Sequence, residues 1–209
     1  MRAMEESRET RRARIRGVVF DFDGTLTYPG ALDFPAIKRE MGCPPDVAIL
    51  EYLETLSPEQ RTPLERILED REEEAAAESV PNEGAERCLI SLKERGIRIG
   101  IITRNSLKSV HRALKGFTDI APHDFDAIVT RENALPKPHP DGVCRAAREM
   151  GILPSELMVV GDFRFDIIAG KAAGACAVLL ADSGTCVMRE KDPMPDHRIR
   201  KLEEILDLV

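Results

Sequence analysis

Continuous apolar runs alternate along this chain with stretches in which apolar residues recur every three or four positions. The runs at 16–20, 97–102 and 157–161 have the uninterrupted character of strands that are buried on both faces of a parallel sheet. Shorter runs predict three more strands, at 126–130, 175–181 and 196–199. Because helical patterns separate the strands, we predict an α/β fold with a doubly wound, Rossmann-like parallel sheet.

Residues 30–80 differ from the rest of the chain because they contain no strand-like run. Three helices are predicted in this segment, at 34–41, at 46–55 and after Ser57, where Gln60 completes a capping box. The segment follows the first strand and its loop. We therefore interpret it as a small helical cap inserted into the core.

The same patterns predict further helices at 83–95, 141–150 and 202–208. An acidic run at 69–77, in the third helix of the cap, is interpreted as a solvent-exposed helix face. The resulting division assigns residues 15–29 and 81–209 to the core, 30–80 to the cap and 1–14 to a charged, flexible N-terminal arm.

Composition and charge argue against several classes of protein. The net charge of −7 disfavours nonspecific binding to nucleic acid or to an anionic membrane. No apolar stretch approaches the ~18 residues of a membrane span, and the first residues interleave arginines with glutamates, unlike a secretory signal. The five cysteines are scattered and form no C-x-x-C pair, so we expect buried thiols and a cytoplasmic location.

The most informative motif is DFDGTLT at residues 21–27, directly after the first strand. Alternation along an extended chain places Asp21 and Asp23 on the same side. Two neighbouring carboxylates repel each other unless a divalent cation or a shared proton relieves them. The first can then act as a nucleophile and the second as a general acid/base, which indicates phosphoryl transfer through an aspartyl-phosphate. Gly24 allows a close approach of the backbone to an anion, and Thr25 adds a hydroxyl.

Further polar residues follow the other strands of the predicted sheet. Thr103 ends the second strand beside a helix start, where a hydroxyl suits a phosphate oxygen. Lys137 lies in a proline-flanked loop that fixes the origin of its side chain. Asp162 ends another strand, and Asp166 begins the next helix, where it can also be an N-cap. Since open α/β sheets bind ligands at the carboxyl ends of their strands, we expect these groups to lie together.

Four motifs thus occur in order: DFDGTLT (21–27), IITRN (101–105), PKPHP (136–140) and VVGDFRFD (159–166). On these motifs, residues 17–209 resemble the haloacid dehalogenase superfamily, and within it the phosphoglycolate phosphatase-like enzymes with a small helical cap. Dehalogenases of that superfamily lack the second acid of the first motif, so Asp23 favours phosphatase activity. The aromatic residues within 163–165 depart from the small or polar residues usual there, and they are expected to change the lining of the site mouth.

The resemblance implies a role for each motif residue. Asp21 would be the nucleophile and Asp23 the general acid/base. The cofactor would be Mg²⁺, held by Asp21, Asp162 and the backbone carbonyl of Asp23, with Asp166 either near the metal or holding Lys137. The implied ligands of the phosphoryl group and the substrate are Thr103, Lys137, Gly24, Thr25, Arg104 and Asn105.

The cap is expected to select the substrate, because a helical lid can exclude water and contact the leaving group. Candidates facing the cleft are Tyr28, Lys38 and Arg39, and a basic residue would suit an acidic leaving group such as glycolate. The choice among phosphoglycolate-like, sugar-phosphate and nucleoside-monophosphate substrates stays open. The expected partner is a small phosphorylated metabolite, bound by a monomer or a homodimer.

Two alternatives to a Mg²⁺-dependent phosphatase stand beside this interpretation. A phosphomutase on the same scaffold would hand the aspartyl-phosphate to a second sugar hydroxyl, and it would need cap residues that position the sugar. A phospho-accepting signalling module would also combine acids, a threonine and a lysine around Mg²⁺ in a doubly wound fold. Such receivers carry the acceptor on a middle strand and have no lid, whereas here the acceptor-type Asp21 follows the first strand.

Overall fold

The computed structural model describes residues 14–181 and 188–209. Within these ranges, six parallel strands form one sheet in the order β3-β2-β1-β4-β5-β6. The strands are β1 Gly17–Phe20, β2 Arg98–Ile102, β3 Ala127–Val129, β4 Leu157–Gly161, β5 Cys176–Leu180 and β6 His197–Ile199. Because the strand order reverses on either side of β1, the predicted doubly wound α/β fold is confirmed.

The helices of the described residues are α1 Phe34–Met41, α2 Ile49–Glu54, α3 Pro58–Glu78, α4 Ala85–Glu94, α5 Leu107–Ala113, α6 Asp141–Glu149 and α7 Arg164–Ala173. Short 3₁₀ segments occur at Leu114–Gly116, Pro122–Asp124, Pro154–Glu156 and Leu202–Asp207. The last of these lies where a terminal helix is predicted, at 202–208, and it is a 3₁₀ helix. Its buried residues, Leu202 and Ile205, are three positions apart, which matches the 3₁₀ repeat.

Helices cover both faces of the sheet. The face that carries Val18 and Phe20 packs against α4, α5 and the C-terminal 3₁₀ segment. The opposite face, which carries Val19, packs against α6 and α7. Successive side chains of β1 therefore enter two different cores, and this explains why the run is apolar at every position.

Residues 30–80 contain α1, α2 and α3, and we call them the cap segment. Apart from Ala76, their buried apolar side chains form a cluster of their own, made of Ile37, Met41, Cys43, Ile49, Leu53 and Leu68. The chain leaves and re-enters the core at one place, because Tyr28 N donates to Val80 O at 2.9 Å and Asn82 N donates to Leu26 O at 2.8 Å. This pairing supports our proposal that the segment is a cap inserted into a separate core.

The helix boundaries of the cap segment agree in part with those predicted from the sequence. Ser57 N donates to Gln60 Oε1 at 3.3 Å, so α3 begins where the capping box predicts. The helix predicted at 46–55 is shorter in the structure, because Val47 N donates to Pro44 O at 3.2 Å and closes a turn before α2. The predicted arm at 1–14 lies outside the described residues, Arg14 excepted.

The expectation that the cysteines are buried is correct for Cys43 and Cys88 and wrong for Cys144, which is exposed. Cys144 lies on α6 beside Val143, and it is Val143 that faces the sheet. Cys176 is partly buried, and Cys186 lies outside the described residues. No helix of the described ranges combines the length and the apolar character that crossing a bilayer requires.

Close packing of β2 gives the first testable prediction. A methyl group at Gly100 would lie 2.9 Å from the backbone carbonyl oxygen of Ala127 on β3 and 2.7 Å from the Met150 methyl. A backbone atom within a sheet cannot move aside. Gly100→Ala should therefore lower the free energy of unfolding by about 1–3 kcal/mol, the usual cost of overpacking, as measured by chemical denaturation.

The matched control for this prediction is Gly142→Ala on α6. There an added methyl group would meet only side-chain atoms, the nearest at 3.1 Å, and alanine gains helix propensity. Equal destabilisation in the two variants would contradict the steric explanation.

Candidate active site

The three central strands bring sequence-distant residues to one edge of the sheet. At its last position, β1 is paired in parallel with both β2 and β4. The residues that follow are Asp21 after β1, Thr103 after β2 and Asp162 after β4. These groups are neighbours at the carboxyl edge of the sheet, where open α/β proteins bind ligands.

The buried side chain of Lys137 reaches this edge from the loop that precedes α6. Its ammonium Nζ donates to Asp21 Oδ1 and Asp166 Oδ1, both at 2.6 Å, and to the Ile102 carbonyl at 2.8 Å. These contacts use all three donors of the ammonium group. Burial alone would lower the pKa of Lys137, but the two carboxylates raise it, so the side chain is charged at neutral pH.

Asp21, Asp162 and Asp166 form the acidic cluster of the site, in which one carboxylate oxygen of each lies within 4.8 Å of the others. Burial and the negative charges of Asp21 and Asp166 raise the pKa of Asp162 to about 8. Burial also raises the pKa of Asp166, although Lys137 opposes that shift. One ammonium group does not balance three carboxylates. The cluster therefore suits a hard divalent cation, which prefers oxygen ligands.

Asp23 lies two residues beyond Asp21, and its Oδ2 accepts a hydrogen bond from Asn105 Nδ2 at 2.5 Å. The intervening Phe22 is buried in the core, as the alternation predicts. Removal from water and the charge of Asp21 raise the pKa of Asp23 to about 7, although the bond from Asn105 opposes the shift. A carboxyl group with this pKa can hold or release a proton near neutral pH.

Gly24 and Thr25 both approach Asp162. Gly24 has a φ of +81°, and a Cβ atom there would lie 2.5 Å from Asp162 Oδ2. The left-handed backbone and the close approach both require glycine at this position. The buried Thr25 hydroxyl lies 3.4 Å from Asp162 Oδ1, to which it can donate only a long and weak hydrogen bond.

Thr103 and Asn105 are buried at the end of β2, before α5. Thr103 Oγ1 accepts a hydrogen bond from the backbone N–H of Asn105 at 3.1 Å. This bond fixes the loop in the shape that lets Asn105 reach Asp23. The roles of Thr103 and Asn105 in binding a phosphate or a substrate stay predictions.

Arg104, between these two residues, extends toward the cap segment. Its guanidinium makes a bidentate ion pair with Glu51 of α2, with Nη1–Oε1 at 2.9 Å and Nη2–Oε2 at 2.5 Å. Nη1 also donates to the Lys137 carbonyl. Glu51 could not be predicted as a site residue, because its local sequence does not distinguish it from the other helix acids.

The prediction that residues 69–77 are an exposed helix face is wrong at Ala76, which is buried, and at Glu72, which is only 4% exposed. Its carboxylate accepts from Ser106 N and Ser109 Oγ, both at 3.3 Å, and it pairs with Arg131. Burial raises the pKa of Glu72, although Arg131 opposes the shift. The local sequence could not predict that Glu72 is buried, because its partners are at least 34 positions away in sequence.

The aromatic residues after Asp162 pack together at the start of α7. The rings of Phe163 and Phe165 meet edge to face with centroids 5.0 Å apart, and Phe163 remains 45% exposed. The Phe165 ring lies 5.2 Å from the guanidinium carbon of Arg104. Since α7 begins at Arg164, Asp166 is its third residue and not its N-cap, and it accepts a hydrogen bond from Phe163 N at 3.1 Å.

The three candidates for substrate selection lie at the surface of the cap segment and its entry. Tyr28 is 60% exposed, and Arg39 is exposed on α1. Lys38 Nζ donates to the Pro45 carbonyl at 2.8 Å, a contact within the cap segment. Their proposed roles toward a substrate stay predictions.

Comparison with known proteins identifies the family. The family model for haloacid dehalogenase-like hydrolases matches residues 15–174. The chain belongs to this family. An uncharacterized hydrolase of Saccharomyces cerevisiae is 34% identical over 199 residues, which are 93% of this chain and 91% of the relative. A protein named putative pyrophosphatase PpaX, from Clostridium perfringens, is 30% identical over 93% of this chain and 97% of its own length.

The fold of this haloacid dehalogenase-like hydrolase also recurs in solved structures. The crystal structure of a predicted phosphoglycolate phosphatase from Haemophilus somnus has a TM-score of 0.68 at 20% identity, and it covers 93% of this chain and 97% of that one. The resemblance carried by the four motifs is thus confirmed, together with the assignment of the chain as a hydrolase of this family.

The buried position of Glu72 generates the second prediction. Glu72→Ala should lower the free energy of unfolding by about 3–5 kcal/mol, because it leaves the largely buried Arg131 charge without its buried partner. Urea denaturation measures this loss. Glu69→Ala, on the exposed side of the same helix, should change stability by no more than about 0.5 kcal/mol. Equal effects at the two positions would show that burial of Glu72 contributes nothing.

Proposed function

We propose that this protein is a Mg²⁺-dependent phosphatase that hydrolyses a small phosphorylated metabolite through an aspartyl-phosphate on Asp21. One observation carries the proposal. An Asp21 carboxylate oxygen lies 2.6 Å from Lys137 Nζ, in a cluster where oxygens of Asp21, Asp162 and Asp166 lie within 4.8 Å of one another. A carboxyl group beside a fixed ammonium group and a cation site meets the requirements of an aspartyl nucleophile.

The residues of the acidic cluster fit a resident Mg²⁺ ion. We propose that Asp21, Asp162 and the backbone carbonyl of Asp23 would hold it, with Asp166 in support through Lys137. Three carboxylates gathered against one ammonium group favour a cation, and oxygen ligands favour Mg²⁺ over softer metals. Mg²⁺ bound there would supply charge neutralisation for the phosphoryl oxygens.

The proposed reaction has two steps. In the first, an Asp21 oxygen forms a bond to phosphorus while the bond from phosphorus to the leaving oxygen breaks, and Asp23 gives its proton to that oxygen. In the second, water attacks the phosphorus of the aspartyl-phosphate, Asp23 takes a proton from the water, and phosphate leaves Asp21. Lys137 offsets negative charge that would otherwise repel the phosphoryl group from Asp21.

Residues around the cluster would bind the phosphoryl oxygens. We assign this role to Thr103 and to Lys137, which would exchange one of its three hydrogen bonds for one to a phosphoryl oxygen, with Gly24, Thr25 and Asn105 beside them. The hydrogen bond of 2.5 Å from Asn105 to Asp23 supports a second task for Asn105, which is to hold the acid in place toward the leaving group.

Pyrophosphate is a second candidate substrate beside a small phosphate monoester such as phosphoglycolate. The observation that favours it is the relative named putative pyrophosphatase, which matches almost the whole chain at 30% identity. The two substrates differ in the leaving group. Phosphate is a far weaker base than an alkoxide, so its departure needs less help from a general acid.

The nucleophile and the acid give the third prediction. Asp21→Asn should abolish phosphate release, and Asp23→Asn should slow release from an alkyl phosphate by ~10²- to 10⁴-fold, with a smaller loss for pyrophosphate. The measurement is phosphate release, with Mg²⁺ and with EDTA, from phosphoglycolate, sugar phosphates, nucleoside monophosphates and pyrophosphate. Asp70→Asn, at an exposed position of α3, is the control and should keep the unmodified rate.

Two results would count against the proposed function. No release from any of these compounds by the folded, Mg²⁺-bound protein would exclude a metabolite phosphatase and favour the signalling class. Isomerised sugar phosphate without net phosphate release would favour a phosphomutase.

The acidic cluster gives the fourth prediction, which does not depend on activity. Mg²⁺ at about 100 times its Kd should stabilise the protein by about 2.7 kcal/mol, and Asp162→Asn should remove most of this gain. Without metal, Asp162→Asn should be at least as stable as the unmodified protein, because it removes an acid whose pKa is raised to about 8 by burial and by the charges of Asp21 and Asp166, and whose burial therefore lowers stability. Thermal unfolding with and without Mg²⁺ measures both effects. An unchanged Mg²⁺ shift in Asp162→Asn would place the metal elsewhere.

A further inference from the structure

A bidentate ion pair joins the cap segment to the core beside the catalytic edge of the sheet. Glu51 and Arg104 form it, with side chains 39% and 21% exposed. Partial burial would raise the pKa of Glu51, but the hydrogen bonds and charge of Arg104 hold it below its usual value. Paired forks of this kind are the strong, geometrically specific form of an arginine–carboxylate contact.

The position of Glu51 depends on the position of the whole cap segment. Its neighbours on α2, Ile49 and Leu53, are buried in the apolar cluster of that segment. The carboxylate can therefore reach Arg104 only when the segment as a whole lies where the structure has it.

Arg104 also contacts the backbone of the residue that holds the proposed nucleophile. Its Nη1 donates to the Lys137 carbonyl, while the Lys137 ammonium is held by Asp21 and Asp166. Lys137 is thus fixed at its backbone by Arg104 and at its tip by the acids. The Phe165 ring lies against the same guanidinium, directly before Asp166 in sequence.

We propose that the Glu51–Arg104 pair positions Lys137 when the cap segment is docked on the core. Arg104 is then a positioning residue, and not the substrate ligand that its place between Thr103 and Asn105 suggests. The Arg104 guanidinium is already paired with the Glu51 carboxylate, so the ion pair carries no net positive charge that would attract a phosphate. This inference rests on the proposed function, in which Lys137 binds the phosphoryl group.

The alternative, that Arg104 binds the substrate, predicts the opposite response at Glu51. In that case Glu51 competes with the substrate for the guanidinium, and its neutralisation should lower KM. In the positioning role, loss of Glu51 instead disturbs Lys137 and lowers kcat. The two roles therefore differ in the sign and in the kinetic constant of the effect.

The experiment compares Glu51→Gln, Arg104→Lys and the double variant, assayed with Mg²⁺ on the best substrate of the panel. Lysine keeps the charge of Arg104 but cannot hold the carboxylate and the Lys137 carbonyl with one planar fork. Each single variant should lower kcat by about 10- to 100-fold, the scale of a misplaced reacting group, with KM changed less than about threefold. The double variant should be no slower than the slower single variant, because both changes break the same ion pair.

Glu54→Gln is the matched control, since Glu54 is an exposed acid on the same helix. It should keep the unmodified kcat and KM. A lower KM in Glu51→Gln together with a raised KM in Arg104→Lys would overturn the proposal in favour of a substrate ligand. Additive losses of kcat in the double variant would overturn it as well.

Hydrogen exchange provides a readout that needs no turnover. The His139 amide donates to the Pro136 carbonyl at 3.0 Å within the loop that carries Lys137. Peptides covering 135–141 should exchange faster in Glu51→Gln than in the unmodified protein or Glu54→Gln, with an unchanged Tm. Unchanged exchange would overturn the proposal even if kcat falls. If the unmodified protein releases no phosphate, the proposed function fails, and the exchange result alone decides whether the pair positions Lys137.

Discussion

The ammonium group of Lys137 makes the rest of this site possible. Asp21, Asp162 and Asp166 come together at one edge of the sheet, and the charge of Lys137 opposes the rise that burial causes in the pKa of Asp162 and Asp166. Lys137 meets two of these acids at 2.6 Å, and it is itself stabilised in a charged state by them. The Lys137 ammonium group therefore links the end of β1, the start of α7 and the loop that precedes α6.

The parallel sheet supplies the frame in which that interaction can form. β1 lies between β2 and β4, so the segments that follow these strands emerge side by side although they are far apart in sequence. How closely these segments approach one another is then limited by the size of their side chains. Gly24 leaves room for the Asp162 carboxylate at the distance the site needs, and a side chain there would push the two segments apart.

The cap segment meets this frame in two different ways. α3 is anchored by buried contacts, because Ala76 joins the apolar cluster of the core and Glu72 pairs with Arg131. α2 meets the core through the partly exposed Glu51–Arg104 pair, which water can replace at lower cost. If the segment changes position, α3 should move least and α2 most. The contact between α2 and the core, which includes the Lys137 loop, is thus more easily broken than the contact between α3 and the core.

The sequence by itself determined the sheet, the order of the chemical groups and the edge on which they gather. It could do so because each motif directly follows a continuous apolar run, and parallel strands bring their carboxyl ends together. Local pattern also predicted the helical character of residues 30–80, since their apolar spacing is helical. Only the tertiary structure decided that Glu72 is buried, that Glu51 pairs with Arg104 and that the C-terminal segment is a 3₁₀ helix. The two acidic contacts join residues 34 to 59 positions apart, and the sequence around a glutamate does not record which partner the fold will bring to it.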